Sequence, residues 1–123
     1  MLKPKPFLIL KGMNNKAKLY TSIIRSNSAY KAYLVDKKYI QALRIFSANK
    51  EVYRLLEACI YEPNNVAVDL YINYIFHLED WFHQFRALEE ELKPKLDTGF
   101  VFERMEWSLP YPSNFIENLK EKL

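Results

Sequence analysis

Two histidines and one cysteine are the side chains best suited to chemistry in this chain of 123 residues. Asp80 and His83 are three apart, a spacing that sets two metal ligands side by side on a helix. His77 and His83 are about 120° apart on the same wheel, so they cannot share one ion without a donor between them. A carboxylate di-iron centre needs Glu-x-x-His pairs on facing helices, and neither histidine follows a glutamate at that spacing. A helix face whose histidines bond Asp80 or water accounts for the pattern more simply. Cys59 stands among apolar neighbours, which raise a thiol's pKa and leave it a poor nucleophile. Gly12 and Gly99 are isolated, so no glycine-rich loop exists to cradle a phosphate. Glu79, Glu89 and Glu103 are the acids free to pair for proton transfer. Glu89 also interrupts an apolar seam, which means either that its helix has left the core or that it is a buried acid paired to a base from the first half. These patterns predict no catalytic residue, no metal and no cofactor.

Binding chemistry has more to work with. Residues 1–50 carry eleven Lys or Arg against Asp36 alone, and residues 51–123 carry seven against fourteen acids, so the halves are +10 and −7. Such asymmetry points to an anionic partner, or to attraction between halves within or between molecules. Lys31, Lys37, Lys38 and Arg44 form a basic ridge if 29–47 is one helix, with Lys16, Lys18 and Arg25 ahead of it. That ridge could neutralise phosphates, and Tyr30 and Tyr33 could stack on unpaired bases. A solvated lysine face is equally ordinary, and the sequence pI of about 8.9 is below the usual nucleic-acid footprint. Leu34 and Ile45 within the ridge suit a protein-docking surface instead. Tyr61, Trp81, Trp107 and Tyr111 are aromatics of the kind that anchor interfaces.

Composition sets the frame for these residues. Half the chain is apolar and 15% is aromatic, enough for a core and inconsistent with disorder. Two glycines fit a helical protein with few tight turns. The opening MLKPKPFLILKG is basic, but FLIL is too short for a secretory h-region. No apolar run approaches the ~20 residues of a membrane span. With a lone cysteine, these features predict one cytoplasmic domain with no membrane partner.

The elements that must position these residues follow from periodicity and punctuation. Residues 1–6 read as a basic extended arm, and Phe7–Leu10 as a short extended run. A short helix over 15–25 ends at the polar triplet Ser26–Asn27–Ser28. The next helix, 29–47, places Ala32, Val35, Tyr39, Ala42, Leu43 and Phe46 on a core stripe. Asn49 caps a third helix carrying Val52, Leu55, Leu56, Cys59 and Ile60. Residues 66–93 form the longest helix, bounded by Asn64–Asn65 and Pro94, with Tyr71, Ile75, Leu78, Phe82, Phe85 and Leu92 on its seam. Ile72 and Phe76 lie on the opposite side, so residues 68–82 are expected at the centre of the fold with neighbours on both faces. Asp97–Thr98–Gly99 signals a turn, 100–107 a strand, and Ser113 or Asn114 the cap of a last helix, 115–123.

The expected architecture is a mostly α, single-domain bundle of about five helices around 66–93, with a two-stranded ribbon pairing 7–10 with 100–107. The expected function is that of a small non-enzymatic binding protein: an adaptor, an inhibitor of the immunity-protein kind or an assembly factor. Its contacts would run through protein partners, with nucleic acid as the alternative and self-association between the oppositely charged halves as a further option. Lys31, Lys37, Lys38, Arg44, Tyr30, Tyr33, Trp107 and Tyr111 are the candidate contact residues.

Overall fold

A computed structural model describes residues 15–62, 67–102 and 113–121. Most of these residues lie in four helices: α1 (Asn15–Asp36), α2 (Tyr39–Ile60), α3 (Val68–Leu92) and α4 (Ser113–Glu121). The arm 1–6, the run 7–10, the caps Asn64 and Asn65, and residues 103–107 all fall outside the described part. The one β feature among the described residues is an isolated antiparallel bridge between Lys38 and Gly99.

Helix boundaries differ from the expected ones at two places, and both have a physical cause. The triplet Ser26–Asn27–Ser28 lies inside α1, and Asn49 lies inside α2 rather than capping a helix. Ser26 Oγ donates to Asn49 Oδ1 at 2.6 Å, so these two punctuation signals satisfy each other across the pair of helices. Asn27 and Ser28 simply face water. The real break comes between them, at Lys37 and Lys38. Lys37 is left-handed at φ 52°, and its amide donates to Tyr33 O at 2.7 Å, the usual closure of a helix end. Asp36 Oδ1 accepts the Lys38 amide at 3.2 Å, a local turn that a short acidic or amide side chain favours.

The expected helix 29–47 is therefore two pieces with independent phases. Its core stripe does not form as drawn: Ala32 is exposed and Val35 is 85% exposed, while Tyr33 and Ile45 are buried. Downstream, Val52, Leu55, Leu56 and Cys59 are buried as the spacing predicts, and α4 docks through Phe115 and Leu119.

α2 is the helix that packs closely on both long neighbours. Among the described residues the helix contacts run α1 with α2, α2 with α3, α3 with α4 and α4 with α1, which leaves α1 and α3 diagonal. The central role expected for residues 68–82 is thus taken by α2. α3 buries Tyr71, Tyr74, Ile75, His77, Leu78, Trp81 and Phe85 on one side only, and Phe76 on the other side is 50% exposed. Leu92, expected on the seam, is exposed too, because α3 is ending there. Lys93 takes the left-handed conformation and its amide donates to Glu89 O at 2.8 Å.

Two cores fill the ring. One is largely aliphatic: Leu19, Ile23, Val52, Leu55, Leu56, Cys59, Ile75 and Leu78, with Tyr71, Tyr74, Phe115 and Leu119 closing it from α3 and α4. The other is aromatic and lies towards the α1–α2 joint: Tyr33, Trp81, Phe85, Phe100 and Phe102, with Ala42 and Ile45. Phe100 and Phe102 alternate inward from an extended segment, as 100–107 predicts, but without a strand partner among the described residues.

Candidate interaction surface

The cations of the expected ridge are carried not by one helix but by two helices and the joint between them. Lys31 projects from α1, Lys37 and Lys38 occupy the joint, and Arg44 stands two turns into α2 with Gln41 Oε1 accepting from it at 3.1 Å. Tyr33 cannot stack on a base, because it is fully buried. Its hydroxyl donates to Phe100 O at 2.6 Å and accepts the Phe102 amide at 3.2 Å, and its ring lies 4.5 Å from that of Phe102. A tyrosine in the last turn of α1 thus supplies hydrogen bonds to a segment without a ladder of its own. Tyr30 is 38% exposed and leans on Tyr33 and Phe102 at 6.1 and 6.3 Å. Trp107 and Tyr111 lie outside the described residues. Of the other aromatics, Trp81 is core, 5.0 Å from Phe85, whereas Tyr61 is 86% exposed at the end of α2.

Acids expected to be free are held across the α2–α3 seam. Glu89 is half-buried, accepting from the Tyr39 hydroxyl and, at 2.7 Å, from Arg86. Its meaning lies between the two expected: a first-half residue does hold it, but that residue is a phenol. Tyr53 donates to Glu79 at 2.7 Å in the same manner, with the Phe46–Phe82 edge contact at 5.1 Å lying between the two pairs. Burial, then the hydrogen bond to Glu89, pushes Tyr39 up to about 12; the hydrogen bond to Glu79, then burial, does the same for Tyr53. Both phenols stay protonated and act as fixed donors, which makes these carboxylates structural staples. Arg86 and Lys50 also lie over the Phe46 ring, at 4.4 and 5.8 Å, and cover its outer side with charge.

The remaining chemical candidates are dispersed. His77 is buried beside Tyr74 and His83 is exposed. Among the described residues no three His, Cys, Asp or Glu side chains are grouped so as to hold a metal ion. Cys59 is fully buried, and burial pushes its thiol up to about 11. Among them, too, no helix is long and apolar enough to cross a membrane.

What the spacing misses is the outer side of α1. Ile24, Lys31 and Val35 fall within about 40° of one line at 100° per residue, and all three are exposed. Leu34 and Tyr30 lie about 80° and 120° to one side of that line, and four of the nine large apolar residues exposed in the described part are on α1. Leu34 and Tyr30 are expected at the surface from the sequence, and Ile24 and Val35 are not. Val35 reads as core only while the helix is taken to run unbroken past Asp36. The side chain of Asp36, able to close a turn on Lys38, is the signal that corrects it.

Lys18 and Arg25, on the α2-facing flank of α1, look towards Glu51. Arg54 chelates Glu51 at 2.8 and 2.7 Å and holds its carboxyl below the usual range, with the two α1 cations adding to the effect. Comparison with protein-family models, with curated proteins and with solved structures returned no match to this chain.

Proposed function

We propose that this chain is a small, non-enzymatic binding protein, a single helical bundle that works through protein–protein contacts in the reducing cytoplasm. The solvent-facing half of α1 carries the reading. Ile24, Tyr30, Leu34 and Val35 are exposed together there, and no described helix packs over the outward line through Ile24, Lys31 and Val35. Single exposed apolar residues are ordinary on any surface; several on one helix with a cation among them suit an interface core and its rim. The adaptor, inhibitor and assembly roles share this requirement and differ only in the partner. The nucleic-acid alternative loses support from two sides, since its cations are spread over two helices and a joint and one of its stacking tyrosines is core.

The test is capture from a nuclease-treated extract of the producing cells, comparing wild type with Leu34→Asp/Val35→Asp. A protein retained after nuclease and lost with the α1 substitutions is the expected result. The reading falls if retention needs nucleic acid, or if purified protein binds RNA or DNA with a steep salt slope. In that case neutralising Lys31, Lys38 or Arg44 would each lower the slope by about one.

A further inference from the structure

The outer faces of α1 and α3 are opposite in charge and each carries exposed apolar residues. The outward line of α1 carries Lys31 and no acid, and that of α3 carries Asp69 and Glu90 and no Lys or Arg; Lys18 and Arg25 look towards Glu51, and Glu79 and Glu89 are held at the α2–α3 seam. On α3, Asp69, Phe76, His83 and Glu90 recur every seven residues, so they drift by only about 20° per step and form one exposed line. Phe76 is the apolar residue of that line, with Asp69 two turns before it and His83 and Glu90 two and four turns after it. The matching line on α1 is Ile24, Lys31 and Val35, an apolar pair with a cation between. Because α1 and α3 are diagonal in the ring of helices, these two lines face away from each other and cannot meet within one molecule.

We propose that the outer face of α1 docks on the outer face of α3 of a second copy, Phe76 seating among Ile24, Lys31 and Val35 while the acids of α3 surround Lys31. The step rests on the reading of this protein as one that binds proteins, and it names one partner: another molecule of the same chain. Charge complementarity selects that occupant, since the described part of the chain itself holds both a line of acids with an apolar residue among them and a line of apolar residues with a cation among them. The contact is heterologous, the two surfaces being different, so each molecule keeps one free face of each sign and assembly continues until a ring closes or the chain of copies ends.

Two double variants test this with purified protein alone. Lys31→Glu/Val35→Glu removes the basic face and Asp69→Lys/Phe76→Lys removes the acidic one; all four positions are exposed, and helical circular dichroism checks that both fold. Wild type is expected to grow in mass with concentration by sedimentation velocity. It should return to monomer near about 0.5 M salt, where the Debye length is under about 5 Å. Each variant alone is expected to be monomeric. Their mixture is expected to stop at a one-to-one dimer, because each retains the single face the other lacks. A wild type that stays monomeric at low salt overturns the proposal, as does a mixture of variants that fails to pair. Either failure leaves the capture experiment on other proteins unaffected, so the two readings fall separately.

Discussion

Where α4 docks, the ring of helices is completed by a helix that satisfies its own backbone; at the other end, residues 99–102 close the ring with no hydrogen-bond ladder of their own. α4 needs from its hosts only an apolar seat, and Phe115 finds one edge-on to Tyr71 and Tyr74 at 4.9 and 5.2 Å. The extended segment needs that and polar partners besides. It obtains them from the Tyr33 hydroxyl, from Lys37 O for the Phe100 amide at 2.8 Å, and from the amides of Tyr39 and Ile40, which donate to Thr98 and Leu96. An extended closure is therefore tied to the α1–α2 joint by hydrogen bonds, while a helical one needs only its apolar seat.

That contrast can be broken at Phe100 and Phe115. Phe100→Ala empties the centre of the aromatic core, where its ring lies 4.9 Å from Phe85 and 5.0 Å from Tyr39. The expected cost is about 3–5 kcal/mol of global stability, read as a fall in the denaturant midpoint. Phe115→Ala is expected to release the nine-residue α4 locally instead. Hydrogen exchange would then show residues 115–121 losing protection while α2 keeps its own. Equal global losses from both would end the distinction.

A finer test removes a single oxygen. Tyr33→Phe keeps the ring but strips the Phe100 carbonyl and the Phe102 amide of their shared partner, for an expected loss of about 1–3 kcal/mol in chemical denaturation.

High pH sharpens the comparison from the α2–α3 side. Tyr39 and Tyr53 stand at about 12 in the fold against an ordinary value of 10.0. The unfolded chain thus ionises first, and the stability these phenols contribute is present below pH 10 and lost as pH rises towards 12. Unfolding midpoints measured across that window should fall, and Tyr39→Phe/Tyr53→Phe should flatten the decline. Tyr71, pushed up to about 12 chiefly by burial, leaves a residual slope.

The smallest expected effect is a gain. Lys37 and Lys93 hold left-handed backbone that glycine adopts without strain. Lys37→Gly should raise stability by about 1 kcal/mol, visible as a higher melting temperature.

Much of the helical content could be read from spacing, because burial of Val52, Leu55, Leu56 and Cys59, or of Tyr71, Ile75, Leu78 and Phe85, repeats with the period of the helix. Punctuation could be read less well. Ser26 and Asn49 look like ends of helices because each can bond its own backbone, and only the packed pair shows that they bond each other instead. Lys37 gives no sign of a left-handed turn, since lysine rarely adopts one. The candidate surface inherits that error. Once the break moves to residues 37–38, Tyr33 turns inward, Val35 turns outward, and the cations of the ridge fall on two helices and the joint. Glu89 illustrates a different limit: its spacing marks it as unusual, but the phenol that holds it lies fifty residues away.

The joint at Lys37–Lys38 has a kinetic consequence as well. Ser26 and Asn49 lie equally far before and after it, so α1 and α2 meet along pairs whose separation grows steadily outward from the joint. Contacts so close in sequence cost little chain entropy to form, whereas α4 must wait for a long excursion through α3. We expect this helical hairpin to be the earliest structure in refolding, with pulse-labelled amides of residues 26–49 protected before those of α4; the reverse order would show that the late-arriving elements are needed to hold it.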